Sequence, residues 1–246
     1  MKKEENDSPS KNAQIEEFLS ARYEFRYNTV LHRVEYRPRG TGDYTAIDRY
    51  CINTLKRALD KEADVQTSPE NLYSIIESDF SPRVNPVQAY FHSLPMVDAV
   101  EQEAISALAN CVSVANPEKW REYLTKWLVA VVANAMDDKQ CRNHTCLVLT
   151  GEQGKFKTTF LDLLCPPALS DYRYTGKIYP QEKDVLSLIG QNLIINIDDQ
   201  LKALNKRDEN ELKNLITCPQ VKYRMPYEKH IRGATPLGKF RGFGQW

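Results

Sequence analysis

The 246-residue chain has no apolar run near the ~20 residues needed to cross a bilayer, and its start, "MKKEENDSPSKN", lacks the apolar stretch of a signal peptide. From these absences neither a helical anchor nor a secretory leader is expected, and the expected setting is cytoplasmic, with no membrane partner. Net charge is also lacking: 33 Lys and Arg balance 33 Asp and Glu, so no overall field marks a nucleic-acid binder. Six cysteines at 51, 111, 141, 146, 165 and 218 lie mostly inside apolar segments, which suits reduced core thiols rather than a disulfide framework. Cys141, His144 and Cys146 have no second ligand pair at a usable spacing, which argues against zinc.

What is present is an ordinary globular composition, 41% apolar and 27% charged, in a length that suits one large domain or two modest ones. Charge is uneven along the chain. Residues 200–246 hold ten Lys and Arg against four Asp and Glu. Residues 1–13 are polar and aperiodic, and a disordered lead is expected there. Over 14–84 a mainly helical unit with a β-hairpin is expected: "YEFRYNTVLHRVEYR" alternates around Asn28-Thr29, Ile47, Cys51, Leu55 and Leu59 recur at helical spacing, and Ser68-Pro69-Glu70 starts a helix. Residues 85–246 form the expected second domain. There Asn116-Pro117-Glu118 caps a helix whose stripe of Trp120, Leu124, Trp127, Leu128, Val131 and Ala135 reads as core packing rather than base stacking.

The informative stretch begins at "CLVLT" (146–150), a short β-forming apolar run of the kind found in buried parallel strands. "GEQGKFKTTF" (151–160) follows, then a helix-compatible segment. After "EKDVLSLIGQ" comes a second buried run, "NLIINIDD" (192–199), ending in two carboxylates. Strand, glycine loop, helix and acidic strand end predict a βαβ nucleotide-binding layout with its ligand at the carboxyl ends of the strands. A triphosphate needs converging donors and a metal. The loop Gly151, Glu152, Gln153, Gly154, Lys155, Phe156, Lys157, Thr158, Thr159 can supply both: the glycines let backbone N–H groups turn inward, Lys157 reaches the phosphates, and the Thr158 hydroxyl can ligand Mg²⁺. Thr159 could contact the α-phosphate.

One position breaks the G-x-x-x-x-G-K-[ST] pattern. Phe156 stands where the second glycine belongs, and its ring must turn outward or disturb the phosphate path. Lys155 offers another cation, but Phe156 follows it, so the register of Lys157-Thr158 is the better one. Asp198, 41 residues after Lys157, is placed to hold Mg²⁺ through water, and Asp199 to orient or deprotonate the attacking water.

"NHTCLVLTGEQGKFKTTFLDLL", "LIGQNLIINIDD" and "ELKNLITCPQVKYRMPYEKHIR" together resemble the virulence-associated protein E (VirE-like) domain, over roughly residues 85–235. The resemblance implies a P-loop ATPase core akin to AAA+ and superfamily 3 helicases, often linked to a primase module, in the replication or mobilisation of phage, plasmid or integrative-element DNA. It assigns phosphate and magnesium roles to Gly151, Gly154, Lys157 and Thr158, and the acidic motif to Asp198 and Asp199. Lys213, Arg224 and Arg232 fall in the basic segment beyond, as contacts for a neighbour's γ-phosphate, for DNA phosphates, or as plain surface. The resemblance also leads one to expect a further buried strand, which "GATPLGKFRGFGQW" does not resemble.

The expected fold class is therefore an α/β P-loop NTPase core, a parallel βαβ sheet that is C-terminally incomplete and apparently truncated, behind a mainly helical unit with a hairpin. The expected function is a Mg-ATP-binding, helicase-like ATPase of DNA replication, with ATP, Mg, single-stranded DNA and a homo-oligomeric ring as cofactors and partners. The rival is a non-catalytic DNA- or protein-interaction module on a degraded phosphate loop.

Overall fold

The computed structural model describes residues 9–96, 103–137, 145–182, 184–197, 205–218, 221–223, 232–234 and 239–243, the last two segments as backbone. The chain divides into two compact units, Met1–Pro86 and Val87–Trp246.

Helix starts follow the polar residues that precede them. Ser10 Oγ accepts from Ala13 N at 3.2 Å and opens α1 (Lys11–Arg22), so the chain is helical from inside the segment expected to be a disordered lead. Asp48 Oδ1 accepts from Cys51 N at 2.8 Å and opens α2 (Arg49–Ala63), and Ser68 Oγ accepts from Asn71 N at 3.1 Å and opens α3 (Pro69–Ile76). Each cap satisfies one backbone donor that the first turn leaves without a partner.

In the first unit β1 (Tyr23–Asn28) and β2 (Arg33–Pro38) pair antiparallel, β3 (Thr45–Ala46) extends them, and β4 (Arg83–Val84) joins β1 in parallel, in the order β3-β2-β1-β4. Residues 24, 26 and 28 alternate with 23, 25 and 27, so one face is charged and the other apolar. The apolar face joins Ile15, Leu19, Ile52, Leu55, Leu59, Leu72 and Ile76 in one core, with the Phe25 ring 5.3 Å from Phe80. On the charged face Glu35, only 2% exposed, accepts from Arg26, Arg33 and Asn28 at 2.7–2.9 Å.

The second unit begins with α4 (Pro86–Ser93) and α5 (Glu103–Asn110), followed by α6 (Pro117–Ala135), which Asn116 caps. The α6 tryptophans are buried core residues: Trp120 Nε1 donates to the Ala109 carbonyl at 3.0 Å, and its ring lies 6.1 Å from Phe160. A small sheet contains β5 (Leu147–Leu149), β6 (Arg173–Gly176), β7 (Ile194–Ile197) and β10 (Lys239–Phe243), all parallel, in the order β5-β10-β7-β6. Between these strands run α7 (Lys157–Leu163), a 3-10 turn (Pro167–Tyr172), α8 (Asp184–Gln191) and α9 (Lys206–Thr217). β8 (Val221–Tyr223) and β9 (Arg232–Ala234) form a separate antiparallel ribbon.

The expected fold class is corrected by this arrangement. The strands at 147–149 and 194–197 are not neighbours in a βαβ unit, because β10 lies between them and pairs with both. β10 lies within "GATPLGKFRGFGQW", the stretch that did not resemble a strand. The first unit has the expected helices and the β1–β2 hairpin, and β3 and β4 extend that hairpin. It is built on a four-stranded mixed sheet. Among the described residues helices outweigh strands, and the sheets are short and split three ways rather than one extended parallel core.

Candidate functional site

Register sets the geometry of the second unit's sheet. Leu149 pairs with Phe243, Gly242 with Ile197, and Ile197 with Gly176, so the four parallel strands end level at one carboxyl edge. The Gly151–Phe156 loop leaves β5 at that edge, and all six of its residues are exposed.

Three loop residues have positive φ: Gly151 at 145°, Gly154 at 80° and Phe156 at 54°. A Cβ added at Gly151 or Gly154 would meet nothing within 4 Å, so these glycines are required by backbone conformation rather than by crowding. Phe156 occupies the left-handed conformation that the pattern's second glycine would adopt without strain, and the residue is 78% exposed. Its carbonyl still accepts from Phe160 N at 2.9 Å, so the substitution does not prevent the first turn of α7.

Lys157 Nζ donates to the carbonyls of Gly151 (3.1 Å) and Glu152, which folds the side chain back across the start of its own loop. Lys155 points elsewhere, forming an exposed 3.5 Å pair with Glu152. Thr158 is half-buried on α7, while Thr159 is exposed.

β7 is buried on both faces, and its two faces differ in kind. Ile195 and Ile197 join Ile178, Val185, Ile189, Leu212 and Val221 in an apolar cluster with α8, α9 and β8. Asn196 points the other way, where its Nδ2 donates to Asp162 Oδ1 of α7 at 2.9 Å. Thr175 Oγ1 of β6 donates to the same oxygen at 2.8 Å, and Arg173 Nη1 donates to the Asp162 carbonyl at 3.0 Å. No sequence signal marked this group, because an Asn inside an isoleucine run and an Asp on a helix match no motif.

Asp198 and Asp199 follow Ile197 directly but lie outside the described residues, as do Arg224, Cys141, His144 and the Arg232 side chain. Lys213 is on α9, solvent-exposed and paired with Glu209 one turn earlier. Burial pushes the Cys146 thiol up to about 12. Among the described residues no group of three His, Cys, Asp or Glu could hold a metal, and no helix is long and apolar enough to cross a membrane.

Residues 95–235, more than half of the chain, match the virulence-associated protein E-like domain. The chain belongs to that family. No curated protein matches it significantly. Among solved structures it is similar to the apo structure of the NrS-1 C-terminal region (305–718), at 11% identity and TM-score 0.51 over 96% of this chain and 57% of that one. The A form of the apo NrS-1 C-terminal region gives 14% identity and TM-score 0.52 over 94% of this chain and 55% of that one. The chain therefore spans little more than half of those structures, and at such identity the likeness is one of fold. The family match contains β5, the Gly151–Phe156 loop, α7 and β7, so the whole candidate site lies within the virulence-associated protein E-like domain.

Proposed function

We propose that this domain binds Mg-ATP on the Gly151–Thr159 loop and serves as a helicase-like ATPase in the replication or mobilisation of phage, plasmid or integrative-element DNA. Family membership supports the setting, and the loop supports the chemistry. Gly151 and Gly154 adopt the backbone conformations that let N–H groups converge on phosphate, Lys157 is already drawn across the loop, and Phe156 is exposed.

The single observation that carries the reading is the Gly151–Phe156 loop leaving β5 at the carboxyl edge of the parallel sheet, with Lys157 Nζ drawn onto the Gly151 carbonyl. α7 leaves the carboxyl edge and must run back toward the amino edge, because it connects the parallel strands β5 and β6. Thr158 lies four residues, about 6 Å, nearer that edge than Asp162 and on the same helix face. Asp198 follows Ile197, the last residue of β7, directly in the sequence. The Thr158 hydroxyl on α7 and the Asp198 carboxylate are the proposed joint ligands. Both are hard oxygen donors that suit Mg²⁺. When bound, the cation would neutralise phosphate charge.

In this reading Lys157 stabilises the transferring phosphoryl group and Asp199 orients or deprotonates the water. A ring of copies would add an arginine from a neighbour. Single-stranded DNA is the proposed substrate, with Lys213, Arg224 and Arg232 as phosphate contacts. Calorimetry with Mg-ATP on the wild type and on Lys157→Ala tests the reading. Binding by the wild type and its loss in the variant are expected. DNA binding without nucleotide binding at millimolar ATP would leave the non-catalytic interaction module.

A further inference from the structure

We propose that the solvent face of α2, in the first unit and outside the family match at 95–235, is a docking surface for single-stranded DNA. The proposal rests on the DNA setting given above and needs neither nucleotide nor metal. α2 packs into the first unit's core through Ile52, Leu55 and Leu59. On the opposite side of the helix, at steps of four, three and four, stand Tyr50, Thr54, Arg57 and Lys61, all exposed. The ends of this ridge, Tyr50 and Lys61, are about 16 Å apart along the helix axis.

Free cations and an uncovered ring separate the ridge from an ordinary solvated face. Elsewhere in the unit the arginines are engaged: Arg22 pairs with Glu62, Arg26 and Arg33 with Glu35, and Arg37 with Glu24. Arg39 donates to the Ser20 carbonyl, and Arg83 lies over the Tyr27 ring. On the flank of α2, Glu70 is held below its ordinary value by hydrogen bonds from its own backbone N–H and from Ser68, and then by the charges of Arg49 and Lys56. Those two cations therefore have a counter-charge. Arg57 and Lys61 have no ion pair among the described residues, although Asp60 and Asp64 are close in sequence. Tyr50 is 78% exposed, so core burial gives no reason for an aromatic side chain there.

A guanidinium and an ammonium one helical turn apart are suited to neighbouring backbone phosphates. Any acidic partner could use those two charges, and Tyr50 decides between partners. An exposed ring in line with the cations offers a stacking platform, and only an unpaired base has a face free to use it, which selects a single strand over a duplex or an acidic peptide.

The test is fluorescence anisotropy of a labelled oligo-dT on the full chain across a salt series, for the wild type, Arg57→Ala/Lys61→Ala, Tyr50→Ala and Tyr50→Phe. Each substitution replaces an exposed side chain and should leave thermal unfolding no lower. The double variant is expected to bind at least about tenfold more weakly at low salt and to flatten the slope of log affinity against log salt by about 1.4, two phosphate contacts at about 0.7 each. Tyr50→Ala is expected to weaken binding roughly tenfold with the slope unchanged, and Tyr50→Phe to restore it, because stacking uses the ring and not the hydroxyl. Wild-type binding with an unchanged slope in the double variant, or with full affinity in Tyr50→Ala, overturns the proposal and leaves the DNA reading standing. Equal affinity for a blunt duplex, or equally effective displacement by poly-glutamate, also overturns it. A wild type that binds no oligonucleotide defeats the DNA reading itself.

Discussion

Lys157 Nζ donates to the carbonyl of Gly151 across 3.1 Å, so the residue expected to grip phosphate acts in this structure as a clasp on its own loop. The same donors must be handed over when a phosphate enters. Lys157→Ala should therefore loosen residues 151–156 even without nucleotide, visible as faster amide exchange there. Global stability should change by no more than about 0.5 kcal/mol, because the bonds are at the surface.

Phe156 yields a second prediction. A left-handed conformation costs a non-glycine residue about 1–2 kcal/mol, while a glycine's extra unfolded-state freedom returns roughly 0.5–1 of that. With the residue 78% exposed, little burial is lost on truncation. Phe156→Gly is expected to raise unfolding free energy by up to about 1 kcal/mol in urea titration, and Phe156→Ala to bring no gain, since alanine carries the same strain.

Gly190 of α8 lies against the buried Tyr223 of β8, and a Cβ there would come within 2.9 Å of the tyrosine ring. Gly190→Ala should lower stability by about 1–3 kcal/mol despite alanine's better helix propensity. Gly190→Ala combined with Tyr223→Leu should recover part of the loss in thermal unfolding.

Glu35 links the first unit's stability to pH. Burial pushes its carboxyl upward, but hydrogen bonds from Arg26, Asn28 and Arg33 outweigh that and hold it below the ordinary 4.5. A carboxyl depressed in the folded state stabilises above its unfolded value, and that contribution is lost as pH falls below about 4.5 and through the folded value. Glu35→Gln should cost about 1–3 kcal/mol at neutral pH and flatten the acid limb of the stability profile.

The strand–loop–helix around residues 147–163 was legible in the sequence because an apolar run, two glycines and Lys-Thr each leave a local mark. The strand at 239–243 was not legible. "KFRGF" has neither the continuous apolar run of a buried parallel strand nor clean alternation, and it forms between partners far away in sequence. α1 was legible in part: it begins inside the polar lead at 1–13, while its buried Ile15, Phe18 and Leu19 fall in the unit expected to be mainly helical. The two-residue strands β3 and β4 are too short to show periodicity. At the site, the sequence pointed to Phe156 as a departure, but only the backbone shows that the glycine it replaces is a positive-φ position.

Amide hydrogen exchange of the full chain with and without Mg-ATP tests the central claim most directly, because it reports both whether nucleotide binds and where. Binding at the proposed site predicts protection centred on residues 151–159 and on the stretch that follows Ile197, absent in Lys157→Ala. Unchanged exchange over 151–159 at saturating Mg-ATP, or the same protection in Lys157→Ala, would contradict the account.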